Sequence, residues 1–450
     1  MSLFSQKVRR PALAALATAG LLLATAACGG GSTDSNATGG SSNGAASSGA
    51  ASGPVSMTLW TNATTGPGTT WFKKAIADFD QANPGTTIKM QVIQNEDYDG
   101  KIQTALQAGQ GSAPDILFQR GGGKMLDMVQ AGQLAPLTIS SDAQANIPAG
   151  TFGQDQSDGK TYAMPLDITP EGIWYSKDLF QKAGITTPPT TIDELTTDAA
   201  KLKAAGTPLA VGGKDGWPAG HWYYMFAIRD CSQDALNTAA TSHQFNDPCF
   251  LQAAQDLGKF DATNPFEADA FNTSAQGSAA STAGLLANHK VAGELMGAWE
   301  PGVVGSLTPN QKPLPDLGFF PFPATSGGQG DPSAIMEGAD SYSCSAWAPE
   351  PACNNFLNFI ATTDEQKTYA TAFQVIPANT QAQAGAASDP ATAEALKAAN
   401  SAKYSVLFLD TLFGSNVGNA LNTAVVNFMS GKTSDPQSII DAVNSSSSKG

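Results

Sequence analysis

The chain is poor in basic residues and in histidine. Its 450 residues hold 24 Lys and Arg against 39 Asp and Glu, and only three histidines, His221, His243 and His289. A formal charge of −15 makes the chain a poor candidate for a nucleic-acid partner, because phosphates demand a basic patch. Cysteine is scarce too. There are five, no C-x-x-C spacing, and no clustering with the scattered histidines, which argues against a zinc site. Long apolar runs are missing: residues 12–27, broken by Thr and Gly, fall short of the about 20 residues that a membrane span needs. No internal repeat at solenoid spacing is present.

The N-terminal run fits a secretory leader instead. Lys7, Arg9 and Arg10 precede the apolar stretch, the layout of a signal peptide over residues 1–27. TAAC (25–28) reads as a bacterial lipobox that makes Cys28 a lipidated N-terminus, although Thr25 stands where Leu is usual; ordinary cleavage near Ala26 or Ala27 is the alternative. Residues 28–54 follow as that cysteine and a Gly/Ser/Ala tether, with Asp34 its only charge. A coil of this composition reaches about 25–30 Å. GSSNG (40–44) matches a G-x-S-x-G elbow, but in low-complexity surroundings rather than at the strand-to-helix turn that the elbow requires.

Loss of the leader removes three basic residues and no acidic ones, taking the charge from −15 to −18. Four cysteines then remain in an exported chain, which suggests disulfides. Three connectivities exist for Cys231, Cys249, Cys344 and Cys353; the two local ones, Cys231–Cys249 and Cys344–Cys353, are favoured. The roughly 400 remaining residues exceed one core and point to two lobes.

From Met57 the pattern alternates. MTLW (57–60) reads as a strand. Residues 69–83 place Phe72, Ala75, Ile76 and Phe79 on one helical face, stopped by Pro84-Gly85. TIKMQVI (87–93), a helix over 98–109, DILF (115–118) and a helix over 124–132 continue the order, and GIWYS (172–176) is a further strand. Thr191 with Glu194 forms a capping box opening a helix to Gly206. Helices are also expected over 354–372, 416–430 and 434–443. NEDYDG (95–100) starts like a calcium loop, but its twelfth position is Leu106, so it reads as a helix start. Alternating strands and helices predict an α/β protein.

Several ordered stretches resemble one family: MTLWTN (57–62), QANPGTTIKM (81–90), GQGSAPDILF (109–118), AGQLAPL (131–137), DGKTYAMPLDITPEGIWYSKDLFQKAG (158–184), PPTTIDEL (188–195), LANHKVAGELMGAWEPG (286–302) and NALNTAVVNFMSGKTSDPQSII (419–440). The chain resembles the extracellular solute-binding proteins of carbohydrate-uptake ABC importers, family 1, the group that includes maltose-binding protein. The resemblance implies a type II periplasmic-binding fold, with two α/β lobes, a hinge and the ligand in the interlobe cleft. Lobe one is placed at 55–164 plus 303–345, and lobe two at 165–302 plus 346–450. The expected partners are a carbohydrate, the permease subunits and the membrane reached by the lipid anchor. A monomer without catalysis, metal or cofactor is expected.

Ligands of doubly wound layers sit beyond the carboxyl ends of strands, which nominates Trp60, Asn62 and Thr64 after the first strand and Gln119 and Arg120 after DILF. Asp167 and Glu171 lie near the crossing between lobes, where the family often places a polar contact. In KDGWPAGHWYYMF (214–226), Trp217 and Trp222 offer flat rings to the apolar face of a sugar. GAWEPG (297–302) falls at the family's Gly-x-Trp turn, so Trp299 is expected as a stacking platform and Glu300 as a hydroxyl acceptor. Asp340 in EGADS (337–341) is a further carboxylate contact. Where maltose-binding protein carries a C-terminal tryptophan this chain has Gly418 or a neighbour, and Phe408 or Phe413 would have to supply that surface.

Three other readings compete with this one. A secreted glycoside hydrolase would need a carboxylate pair drawn from Glu171, Glu300 and Asp340. A ferric-iron-binding uptake protein could use the adjacent Tyr223 and Tyr224. A purely structural or adhesive lipoprotein would need the cleft closed off.

Overall fold

The computed structural model describes residues 53–386 and 388–448. The leader, lipidated Cys28 and tether expected from the sequence fall, up to residue 52, outside the described residues. Strand β1 (Val55–Thr61) alternates so that Met57, Leu59 and Thr61 are buried, as one face of a pleated strand requires. Thr65 then caps α1 (Gly66–Ala82) by accepting from the Gly68 amide, with Pro67 in the first turn. The apolar stripe of α1 buries Trp71, Phe72, Ala75, Ile76 and Phe79. The chain leaves it through Gly85, at φ 99°, a conformation that glycine adopts without strain.

Next come β2 (Thr86–Val92), α2 (Asn95–Ala108), β3 (Ile116–Gln119) and α3 (Gly122–Gln130). β1 pairs in parallel with both β2 and β3. The short strands β4 (Leu134–Ala135) and β5 (Met164–Pro165) join the same sheet only through β10 (Ser341–Ser345), which returns late in the sequence and runs antiparallel to β3, β4 and β5.

The second sheet is ordered β7 (Leu209–Ala210), β8 (Gly293–Gly297), β6 (Glu171–Ser176), β9 (Leu317–Phe320). Between β7 and β8 runs α4 (Trp217–Asp230), buried over almost its whole circumference. A helix apolar on all sides belongs inside a core, and α4 is the central helix of this lobe. The turn after β8 opens α5 (Glu300–Leu307). Beyond β10 lie α6 (Glu350–Ile360), α7 (Thr363–Phe373), α8 (Leu409–Leu412) and α9 (Gly414–Met429).

Each sheet organises its own core. Leu59, Phe72, Ile116, Phe118 and Tyr342 pack in the first; Ile173, Tyr223, Phe226, Leu421 and Val425 pack in the second. Between the lobes three segments run side by side. Leu166 N–H donates to Asp340 O and Thr169 N–H to Gly338 O, both at 2.9 Å, and Ala378 N–H donates to Leu166 O at 3.0 Å. These crossings form the hinge region of a type II periplasmic-binding fold.

The sequence partition differs from this packing in two stretches. Residues 303–345 are expected in lobe one, but β9 is hydrogen-bonded into the second sheet, with Phe319 opposite Trp174. Residues 346–450 are expected in lobe two, but Cys353, Phe356, Leu357 and Ile360 of α6 and Tyr369 of α7 belong to the first core, where Phe79 meets Phe356 edge-on at 5.2 Å. The single helix expected over 354–372 is two helices, parted at Thr362, whose ψ of 152° is extended. The capping box at Thr191 and Glu194 forms with both of its arms.

Disulfides join Cys231 to Cys249 and Cys344 to Cys353, the local pairing favoured from the sequence. The first ties the end of α4 to the helix Pro248–Asp261, the second ties β10 to α6. Among the described residues no helix is long and apolar enough to cross a membrane.

Candidate functional site

A cavity of about 560 Å³ lies between the lobes, within the range of about 300–1,000 Å³ usual for small-molecule clefts. It is bordered by the loops after β1, β3 and β8, by the crossing segments, by the start of α4, and by α8 and α9. Three of these borders lie beyond the carboxyl ends of strands, where open α/β sheets hold their ligands.

One wall is aromatic. The Trp217 and Trp299 rings meet at 6.0 Å and the Trp299 and Phe408 rings at 5.9 Å. Trp299 is partly buried and packs against both sheet cores and against a third apolar cluster around Trp174, Leu286 and Phe319. Its ring folds back over Gly297, where a Cβ would come within 2.3 Å of it. That close approach is the physical reason for the glycine in the Gly-x-Trp turn. Below this wall His221 lies flat on Phe408, at 4.9 Å and 14°.

The same cavity holds a charged cluster. Arg120, 4.9 Å over the Phe118 ring, donates to Asp99 and to Asn95 Oδ1, the latter at 2.6 Å. Lys124 Nζ donates to the other Asp99 oxygen at 3.1 Å and stands 3.8 Å from Asp410 Oδ2. Burial would raise the Asp99 carboxyl, but Arg120 and Lys124 outweigh it and hold it at about 2. Burial acts in the same direction on Asp410 and is outweighed chiefly by Lys124, helped by the Asn422 amide, so its pKa also falls. Asn422 donates to Asp410 at 3.1 Å and accepts from the Tyr224 hydroxyl. A polar chain thus runs from α2 and α3 in one lobe to α8, α9 and α4 in the other.

At the crossing, Asp167 accepts from the Asp340 amide at 2.9 Å and from the Tyr369 hydroxyl at 2.8 Å. Burial, reinforced by the neighbouring Asp340, pushes its carboxyl up. Burial also raises Asp340, against the pull of Arg120.

Of the residues nominated from the sequence, Asn62, Thr64, Arg120, Asp167, Trp217, Trp299 and Asp340 line this one cavity. Five others do not. Trp60 sits on β1, packed against the first core. Gln119 is buried, its Oε1 accepting from the Arg120 amide at 2.9 Å. Trp222 is 1% exposed and stacked on Phe260 at 5.2 Å, on the core side of α4. Glu171 lies behind His221, accepting from its Nδ1 at 2.9 Å. Glu300 is 1% exposed; burial, then the neighbouring Glu294, drives its pKa well up, so it is no hydroxyl acceptor at the cleft.

Other lining residues escape the sequence reading, notably Asp99, Lys124, Asp410 and Asn422. Asn95 and Asp99 could have been found, because i and i+4 on a helix share a face. The Lys124–Asp410 approach had no local signal, since the two residues meet only through the packing of the lobes.

The placement also bears on the other functions. Tyr223 donates to Phe250 O at 3.1 Å and Tyr224 to Asn422, both fully buried, so neither hydroxyl is free for iron. Of the three carboxylates considered for glycoside hydrolysis, only Asp340 reaches the cleft.

Two α/β lobes, three crossing segments and an aromatic-and-acidic cleft between them define a two-lobed ligand-capturing protein. The chain belongs to the bacterial extracellular solute-binding protein family, whose model matches residues 62–367. A protein of Brucella abortus is 34% identical over 208 residues, 45% of this chain and 49% of that one; the match spans about half the length of that curated relative. The diacetylchitobiose-binding protein of Streptomyces coelicolor is 23% identical over 95% of both chains. The solved structure of a chitin oligosaccharide binding protein superposes with a TM-score of 0.77 at 23% identity, covering 88% of this chain and 98% of that one, a likeness of fold.

Proposed function

We propose that the protein captures a sugar or short oligosaccharide outside the cytoplasm and delivers it to the permease of an ABC importer. The observation that carries this reading is the meeting of aromatic rings and hydrogen-bonding side chains in one cleft. Trp217, Trp299 and Phe408 present ring surface, while Asp340, Asp99, Asp410 and Arg120 bring hydrogen-bonding groups to the same cavity. A sugar has the same division, with CH-rich faces and a rim of hydroxyls. The sugar-binding roles of several relatives, among them a melibiose, raffinose and stachyose-binding protein of Bacillus subtilis, support the choice of ligand class.

The ligand is held and released unchanged. Closure of the two lobes is biased by contacts that a ligand makes with both at once. The protein works as a monomer, anchored to the outer face of the membrane through lipid on Cys28, with the tether spanning the gap.

A thermal-shift screen of residues 53–450 against neutral mono- and oligosaccharides tests this. A ligand at 100 times its Kd adds about 2.7 kcal/mol, seen as a raised Tm, and chromatography should recover it uncleaved. No shift across a broad panel, or recovery of hydrolysed product, would sink the reading.

A further inference from the structure

We propose that His221 is a ligand-contacting residue of the cleft, with Nε2 presented to a sugar hydroxyl, and that Glu171 is the positioning residue that holds it there. This rests on the sugar-capture reading above.

Burial and contacts fix the ring from several directions. His221 is only 4% exposed, yet it lines the cavity. Phe408 stacks parallel to it at 4.9 Å, and Trp217 and Tyr224 close two further sides at 4.9 and 5.4 Å. Glu171 Oε1 takes Nδ1 at 2.9 Å from the strand β6, where the carboxyl is fully buried. Among the described residues no protein group hydrogen-bonds Nε2. A ring held this firmly has one nitrogen left, and the hydrogen bond at the first decides what the second can do. With Nδ1–H donated to the carboxylate, Nε2 carries a lone pair and accepts.

The surroundings favour the same arrangement. Asp410, held ionised, is the other carboxylate facing His221. Two acidic neighbours disfavour an anionic ligand group and favour a hydroxyl donor. Glu171 is remote from the ligand but essential to this geometry, as an outer partner is for a metal-bound histidine. The buried carboxylate would otherwise be hard to account for, because burying one in a core strand is costly without such a partner.

His221→Asn keeps a donor at the Nδ1 position for Glu171 and deletes Nε2; His221→Gln restores a polar group near Nε2. Calorimetry with the sugar identified by thermal shift should show at least about a tenfold loss for His221→Asn, with Tm little changed, and partial recovery for His221→Gln. Glu171→Gln should weaken binding in the natural background and add nothing in the His221→Asn background, a non-additivity that a purely structural role does not produce. Natural affinity in His221→Asn, or an equal cost of Glu171→Gln in both backgrounds, overturns the proposal.

A second measurement uses the unaltered protein. Diethylpyrocarbonate should modify His221 at Nε2, and saturating sugar should protect it; equal modification with and without sugar overturns the proposal. If no sugar binds at all, the sugar-capture reading fails separately. The dyad is then judged by imidazole ¹⁵N spectra, where an Nδ1-protonated tautomer supports it and an Nε2-protonated one overturns it.

Discussion

Trp299 and Glu300 are adjacent in sequence and part company at the backbone: the indole faces the cleft, and the carboxyl turns into the interior beside Glu294. The division follows from their position at the mouth of α5. Glu300 opens the buried side of that helix, while Trp299 stays in the turn and folds over Gly297. Trp299→Ala should therefore weaken sugar binding while leaving the fold intact. Removing roughly 80 Å² of ring contact at about 25 cal/mol per Å² costs about 2 kcal/mol, a loss of about thirtyfold in Kd. Glu300→Gln should leave affinity unchanged. Calorimetry on the two variants checks both, and an unaffected Trp299→Ala would remove the indole from the site.

The charge lining the cleft predicts a preference among sugars. Besides Asp167, which burial and Asp340 push towards the neutral form, five carboxyl groups, from Glu96, Asp99, Asp215, Asp340 and Asp410, stand against the cations of Arg120, Lys124 and Lys214. Arg120 and Lys124 are already engaged by Asp99. Uronic-acid sugars should bind at least about tenfold more weakly than their neutral counterparts, with the gap narrowing as salt screens the repulsion. A uronate that binds as well as its neutral parent at low salt would contradict this.

Much of the fold was legible because it rests on local pattern. The alternation in VSMTLWT, the stripe of α1 and the capping box at Thr191 each follow from neighbours in sequence. The lobe partition failed where membership depends on distant pairing: β9 finds β6, and α6 finds α1, with no local mark of either. Trp299 was legible through the glycine it needs two residues earlier. Trp222 was not separable from Trp217, because α4 is apolar on nearly every side and only packing shows which ring meets the cleft. Glu171 was read at the right crossing as a cleft contact, but it lies one layer deeper, behind His221.

Buried carboxyls predict an unusual pH dependence of stability. Burial raises Asp155 from 3.8 to about 7, partly offset by the Ser341 hydroxyl that donates to it at 2.8 Å. It likewise raises Glu267 and Glu337 to about 7 and Asp230 to about 6. Between about pH 4 and 7 the folded protein keeps protons that the unfolded chain has lost, so stability falls as pH rises through that window. For Asp155 alone, about 1.4 kcal/mol per pH unit gives about 4 kcal/mol. Denaturant melts should show the protein more stable at pH 5 than at pH 8, and Asp155→Asn should flatten the slope. A rise in stability from pH 5 to pH 8 would refute the assignment.

Lys124 and Asp410 should govern how the lobes sit before any ligand arrives. Their side chains are only 12% and 10% exposed, and at 3.8 Å they face each other from opposite lobes. An ion pair so placed is screened little by salt, and it acts at the cleft itself, where a small change in lobe angle matters most. In Asp410→Asn the hydrogen bond network of Asn422 persists in part, and Lys124 keeps Asp99 as a partner, so the fold should survive. What is lost is attraction between lobes. Small-angle scattering should report a larger radius of gyration for the ligand-free variant than for the natural protein, and saturating sugar should narrow the difference. Because closure then has to be driven by the ligand alone, affinity should fall together with the closed fraction. An unchanged radius of gyration with unchanged affinity would show that this pair follows closure and does not bias it.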